Sequence, residues 1–166
     1  MEIDGNNNVV TSTAPGKAFT FTQGADIKDL QIISTEDNTK WNSSYGIHIY
    51  TDEGNISNVS VHGFNAAMLV NGGTAKLSGN IDVSGNTFGG IEVSKGKSTS
   101  LSTSVLDITD AKITNTSEEY GKPTIWIDGV SDEIGQVIGA ESFTKVEMKN
   151  QIHYYIHSEN AQDPNA

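Results

Sequence analysis

Apolar residues in this chain recur in short alternating segments, and no window sustains a helical period. One unit repeats: two apolar residues three apart, an alternating strand, a Gly or Asn turn, then a second alternating strand. Its first half occupies residues 27–32 (Ile27, Leu30, Ile32), 56–61 (Ile56, Val59, Val61), 77–83 with one extra residue, 108–113 and 143–148. Its second half occupies residues 19–21, 47–49, 68–70, 91–93, 125–127 and 154–156. The link from Ile49 to Ile56 is as long as that from Val70 to Leu77, and the link from Phe21 to Ile27 is one residue shorter, so the turns share a geometry. Period-two segments rich in β-branched residues favour extended backbone with one face inward. The spacers at 34–45, 95–105 and 116–122, rich in Ser, Thr, Asn, Gly and Glu, read as excursions from a regular coil.

Short strands joined by turns too short for helices predict an all-β chain folded as a right-handed parallel β-helix, a solenoid of about six coils. A β-sandwich is the alternative. It calls for two-residue hairpin links, whereas Asp4-Gly5 and Asp128-Gly129 fall at strand ends. At 166 residues and 17.7 kDa the chain fits one domain, residues 1–166. Hydrophobic residues are 35%, below the roughly 45–50% usual in globular chains, which suits a thin, elongated core. No apolar run is long enough for a membrane helix, and the opening residues carry no signal-peptide pattern, so the expectation is a mature or excised piece of a larger extracellular protein.

The formal charge of -11 changes the range of partners, since a negative field repels phosphate backbones and anionic membranes. Neither nucleic acid nor membrane insertion is expected. All ten cations are lysines, which removes guanidinium clamps, and the absence of cysteine removes disulfides and thiolate chemistry.

The segment Ile3-Asp4-Gly5-Asn6-Asn7-Asn8 with Val9, followed by Ile-x-x-Val/Leu-x-Ile/Val rungs, resembles the opening coils of pectate-lyase-like right-handed β-helices over nearly the whole chain. That resemblance implies a fold found in bacterial secreted polysaccharide-active enzymes and in non-catalytic modules of large surface and adhesin-like proteins. Fold alone does not select between them. The lyase pattern needs acidic calcium ligands and an arginine base, and this chain has no arginine. The polygalacturonase-like motifs Asn-Thr-Asp, Asp-Asp, Gly-His-Gly and Arg-Ile-Lys are missing, with Val61-His62-Gly63 the nearest remnant. The expectation is therefore a non-catalytic module on the bacterial cell surface or outside the cell, a spacer or a recognition domain for a polysaccharide or a surface protein. The alternative is a polysaccharide lyase or glycoside hydrolase-like fragment. No catalytic residue, metal or cofactor is assigned. An end coil with unpaired edges also offers a route to end-to-end self-association.

Aligning the rungs predicts which side chains share a column about 4.8 Å apart. On the first sheet the outward columns are Gln31, Ser60, Asp82, Lys112, Glu147 and Ile33, His62, Ser84, Thr114, Lys149. On the second the column is Thr20, His48, Leu69, Glu92, Trp126, Tyr155. The candidate ligand-binding residues are Trp126 and Tyr155, side by side as an aromatic platform, with His48 and Glu92 as polar neighbours. The opposing expectation is that a loop at 34–45 or 116–122 folds over them. Asp82 and Glu147 are far enough apart for carboxylate-pair hydrolysis, but with Lys112 between them an alternating-charge ladder is the simpler reading. His153 and His157 share a strand face yet span about 13 Å, too far for one metal. The acidic turns at Asp52-Glu53 and at Asp128, Asp132 and Glu133 have oxygens that could hold calcium, and solvated turns are the plainer account. The Ser/Thr run at 98–104 suggests an ice-binding array, which the mixed second-sheet column argues against.

Overall fold

The computed structural model describes residues 1–50, 53–94, 104–117, 122–128, 135–139, 143–147 and 153–158, with 128, 135, 143–147 and 153–158 described by their backbone. In chain order the strands are β1 (Glu2–Ser12), β2 (Lys17–Phe21), β3 (Ala25–Ser34), β4 (Tyr45–Ile49), β5 (Glu53–His62), β6 (Ala66–Val70) and β7 (Gly73–Asp82). They continue as β8 (Gly89–Ser94), β9 (Ser104–Thr114), β10 (Ile125–Asp128), β11 (Gly135–Ile138), β12 (Phe143–Glu147) and β13 (His153–Ser158). Among the described residues there is no helix. The all-β expectation therefore holds.

Up to β11, successive strands alternate between two sheets. The first runs β1-β3-β5-β7-β9-β11, and the second runs β12-β13-β10-β8-β6-β4-β2. Every pairing in the first sheet is parallel. So is every pairing in the second from β2 to β10. Among the described residues the antiparallel pairings are those of β13, which lies between β10 and β12 and runs opposite to both. Parallel sheets of this kind are compatible with a β-helix.

The apolar pair three residues apart now has a cause. Alternation would send Ile27 and Leu30 to opposite faces, yet both are buried. Between them Asp29 adopts a positive φ of 52°, which turns the strand so that its second half points inward again. Asn58 (φ 50°) does this between Ile56 and Val59; in the next rung Gly79 (φ 65°) takes the corresponding place between Leu77 and Ile81, which are four apart, and the extra residue appears as a register shift against β5. Side chains other than Asn, Asp and Gly adopt this backbone at a cost of about 1–2 kcal/mol. Asn58 also ties the rungs together: its amide donates to Asp29 (3.1 Å) and its carbonyl accepts from the Asn80 N–H (3.1 Å).

The core fills the space between the sheets with Ile27, Ile32, Ile56, Val61 and Ile81 from the first and Ile47, Ile49, Met68, Ile91 and Ile125 from the second. The second-sheet strands enter it through small residues. Ala67 and Met68 both belong to the core, and a side chain at Gly46 or Gly90, one rung to either side, would run into Val61 or Val83.

Two alignments differ from the sequence reading. Residues 143–148 do not supply a first-sheet rung; β12 lies in the second sheet, and the sixth first-sheet strand is β11, whose single core-packed apolar residue, Val137, gives too little pattern to read. Lys112 pairs with Asn80 and Thr114 with Asp82, because the β7–β9 register shifts between Lys76 and Ser78. The columns Gln31–Ser60–Asp82 and Ile33–His62 stand as expected.

Val61 is fully buried and Ser60 half-buried on the opposite face. Val61→Asp should cost several kcal/mol for the unpaired charge and abolish the cooperative thermal transition followed by circular dichroism. Ser60→Asp should leave that transition within a few degrees of the parent.

Candidate functional site

The second-sheet column forms in the expected register: Thr20 pairs with His48, His48 with Leu69, Leu69 with Glu92, Glu92 with Trp126 and Trp126 with Tyr155. It does not form an exposed platform at Trp126. That indole is 7% exposed, packed with Tyr45, Ala66 and Leu69 in a second apolar cluster on the outer side of the sheet. The missing side chain of Gly89 leaves it room, since a Cβ there would meet the indole at 2.9 Å. Tyr155 is placed by its backbone, and its side chain lies outside the described residues.

Glu92 is buried as well. Its carboxylate accepts hydrogen bonds from the Tyr45 hydroxyl (2.5 Å) and from Ser94 Oγ (3.1 Å). His48 is half-buried against Tyr50, ring centroids 5.7 Å apart, and its Nε2 is sealed from water without a hydrogen-bond partner. Burial, helped by the ammonium of Lys17, lowers its pKa to about 4.

The accessible aromatic surface lies one step away, at Trp41 and Phe88, which are 50% and 39% exposed. Their rings meet edge to face at 5.3 Å, and Trp41 meets Tyr45 in the same way at 6.0 Å. Lys17 Nζ stands 5.7 Å from the centre of the Tyr45 ring. Together these residues form an aromatic corner with a cationic edge.

Trp41 is carried by the loop between β3 and β4, which asparagine side chains hold in place. The Asn65 amide donates to the carbonyls of Asn38 and Lys40 (both 2.9 Å) and its oxygen accepts from the N–H groups of Asn42 (2.7 Å) and Ser44 (3.2 Å). Asn38, also buried, donates to Ser34 Oγ and the Gly63 carbonyl and accepts from Asn42 and Ser44 side chains. The carbonyl of Asn65 accepts from the Phe88 N–H at 2.8 Å. One buried residue thus fixes both sides of the corner. Sequence reasoning missed Trp41 because it sits in an aperiodic spacer; the available signal was a large aromatic within an Asn/Ser-rich loop beside a lysine.

The outer face of the first sheet is charged. Lys28 bridges Glu2 (2.9 Å) and Asp4 (3.3 Å), and Lys76 pairs with Glu53 (2.9 Å). His62 Nδ1 lies 2.7 Å from the Ser84 carbonyl, with Nε2 3.9 Å from Asp82. Glu147 lies on β12 of the second sheet, so Asp82 and Glu147 do not share a column. Asp52, Asp132 and Glu133 lie outside the described residues, as do the side chains of Asp128, His153 and His157. Among the described residues no three His, Asp or Glu side chains cluster as metal ligands.

Compared with known proteins, the chain matches no family model, no curated protein and no solved structure.

Asn65→Ala should lower stability by about 2–4 kcal/mol in urea unfolding, since it leaves the buried Asn38 carbonyl and Ser44 N–H without this partner at about 1–3 kcal/mol each, besides the half-buried groups of Lys40 and Asn42. It should also expose the 34–45 segment to proteolysis before the rest of the chain.

Protonating His48 gives a second prediction. Its folded pKa is depressed, so the unfolded chain takes up the proton first; stability is full above about pH 6.5 and falls as pH drops toward 4. Asp4, held low by the Asn6 N–H, and Asp37 and Asp107, held low by Thr39 and Thr109, lose their contributions at lower pH. His48→Gln should flatten the melting-temperature profile between pH 6.5 and 4 and leave the more acidic limb in place.

Proposed function

We propose that this chain is a non-catalytic recognition module, a right-handed parallel β-helix of about six coils and of the pectate-lyase-like kind, from a larger extracellular or bacterial cell-surface protein. Its ligand is carbohydrate, taken on the outer side of the second sheet. The observation that carries this reading is the Trp41–Phe88 corner: two large exposed rings on two neighbouring loops, 35–44 and 83–88, both tied to the buried Asn65, with Lys17, Lys40 and Asn42 nearby. Aromatic faces with a polar rim suit the apolar faces and hydroxyl edges of sugar rings. Trp126 and Glu92 enter as support beneath the corner, and His48 and Tyr155 as its continuation along the column.

A good aromatic contact adds about 0.5–1.5 kcal/mol beyond the area it buries, so one corner binds weakly and its use is multivalent, as along a polymer or between many copies of a module. The reading includes self-association at the end formed by β1 and β2, where Ile3, Ala18 and Phe19 are only partly covered. Nucleic acid is not among the proposed partners, given the net charge of -11.

Affinity electrophoresis through gels containing neutral or acidic polysaccharides tests the proposal. The parent should be retarded by at least one, and the Trp41→Ala, Phe88→Ala double variant should migrate as in an empty gel with its melting temperature nearly unchanged. Equal retardation of parent and variant would sink the assignment. Release of reducing ends or unsaturated products from any polysaccharide would instead favour the lyase or hydrolase alternative.

A further inference from the structure

A carboxylate buried on the outer face of a sheet needs explaining. The neighbouring rung of the same column carries Leu69, which covers its surroundings with no ionisable group, and a Leu at 92 would do so too. Burying a carboxylate is costly unless it is hydrogen-bonded, so what Glu92 bonds to indicates what it does there. It accepts from the hydroxyl of Tyr45, which lies two strands away on β4.

The bond therefore spans β6. Ala66, fully buried, is the register partner of Tyr45 on that strand, and its small side chain lets the phenol ring pass over the sheet to β8. Tyr45 is held at both ends, by its N–H donating to the Gly16 carbonyl (3.2 Å) and by its hydroxyl on Glu92. Its ring is the one that Trp41 meets edge to face, with an interplanar angle of 85°.

We infer that Glu92 is a positioning residue for the aromatic corner, acting through the Tyr45 hydroxyl to fix the ring against which Trp41 is set. This rests on the reading of the corner as a carbohydrate site. Glu92 itself touches no ligand, and it differs in this from the polar contact residue that its place in the column first suggested. The amide of Gln would still offer an oxygen to Tyr45 and keep the arrangement, whereas an apolar residue of similar size would not.

Two readouts separate the positioning from the binding. Trp126 is 7% exposed, so the acrylamide-accessible tryptophan fluorescence reports Trp41, with Trp41→Phe as the blank. Tyr45→Phe and Glu92→Leu should each raise the quenching constant of Trp41 about twofold and weaken retardation by hydroxyethylcellulose or polygalacturonate at least threefold. Glu92→Gln should match the parent in both. Tyr45→Phe removes one oxygen and keeps the ring, so the test survives if Glu92→Leu misfolds. Unchanged quenching in Tyr45→Phe, with retardation intact, overturns the positioning role alone. Raised quenching in a chain whose parent neither polysaccharide retards supports the positioning and overturns the carbohydrate reading.

Discussion

Where turns stack on turns, backbone N–H and C=O groups at the corners lose access to water and must find partners inside the protein. Asparagine meets that need here. Its amide has two donors and an oxygen with two lone pairs, and Asn65 uses all four on the backbone of the 38–44 segment. One rung on, Asn86 donates to the carbonyls of Val61 and Val83 and accepts from the Phe64 N–H. Aspartate has no donor to offer at either place. The entry of β4 and β6 into the second sheet, the path of the preceding loop and the position of Trp41 all depend on these buried amides.

The parts of this architecture that were legible in the sequence are those where one residue advances one step. The second-sheet segments are short and regular, and the column from Thr20 to Trp126 could be read from them; Tyr155 does pair with Trp126, on a strand that runs antiparallel where a further parallel coil was expected. β3, β5 and β7 each contain a left-handed residue, and where it is Asn or Asp nothing marks it in advance; β9 contains none, and its register against β7 shifts between Lys76 and Ser78, an irregularity with no sequence signal that leaves Lys112 opposite Asn80 rather than Asp82. Burial of Trp126 was left open in the sequence, where a loop at 34–45 or 116–122 was the alternative to an exposed platform. Tyr45, at the end of the first of these segments, shares its apolar cluster, and a ring that reaches over a neighbouring strand leaves no trace in periodicity. The Asn38–Asn65 contacts likewise join residues whose types were visible but whose partners were not.

The two outer faces divide the chemistry of the chain between them. On the first sheet, acids and lysines interleave across rungs: Glu2 and Asp4 against Lys28, Glu53 against Lys76, with Asp26 capped by the Asn55 amide at 2.7 Å. Each exposed pair contributes about 0–1 kcal/mol; across the ladder Asp4 faces Lys28 and Lys76 faces Asp107, while Glu2 stands opposite Asp26, a like-charge pair whose members are taken up by Lys28 and by the Asn55 amide. The second sheet instead carries Leu69 and Trp126 beneath a tyrosine and presents rings at its rim. The charged surface and the aromatic surface thus lie on opposite sides of one core.

The insertion of β13 between β10 and β12 bears on how the chain is made. From β1 to β9 each strand needs only one already synthesised, so rungs can dock in the order in which they leave the ribosome. At β10 that order breaks: its outer neighbour is β13, the last of the described strands, and β12, though made earlier, reaches the sheet only through β13. The nascent chain therefore holds one edge of its second sheet open until synthesis has passed residue 158.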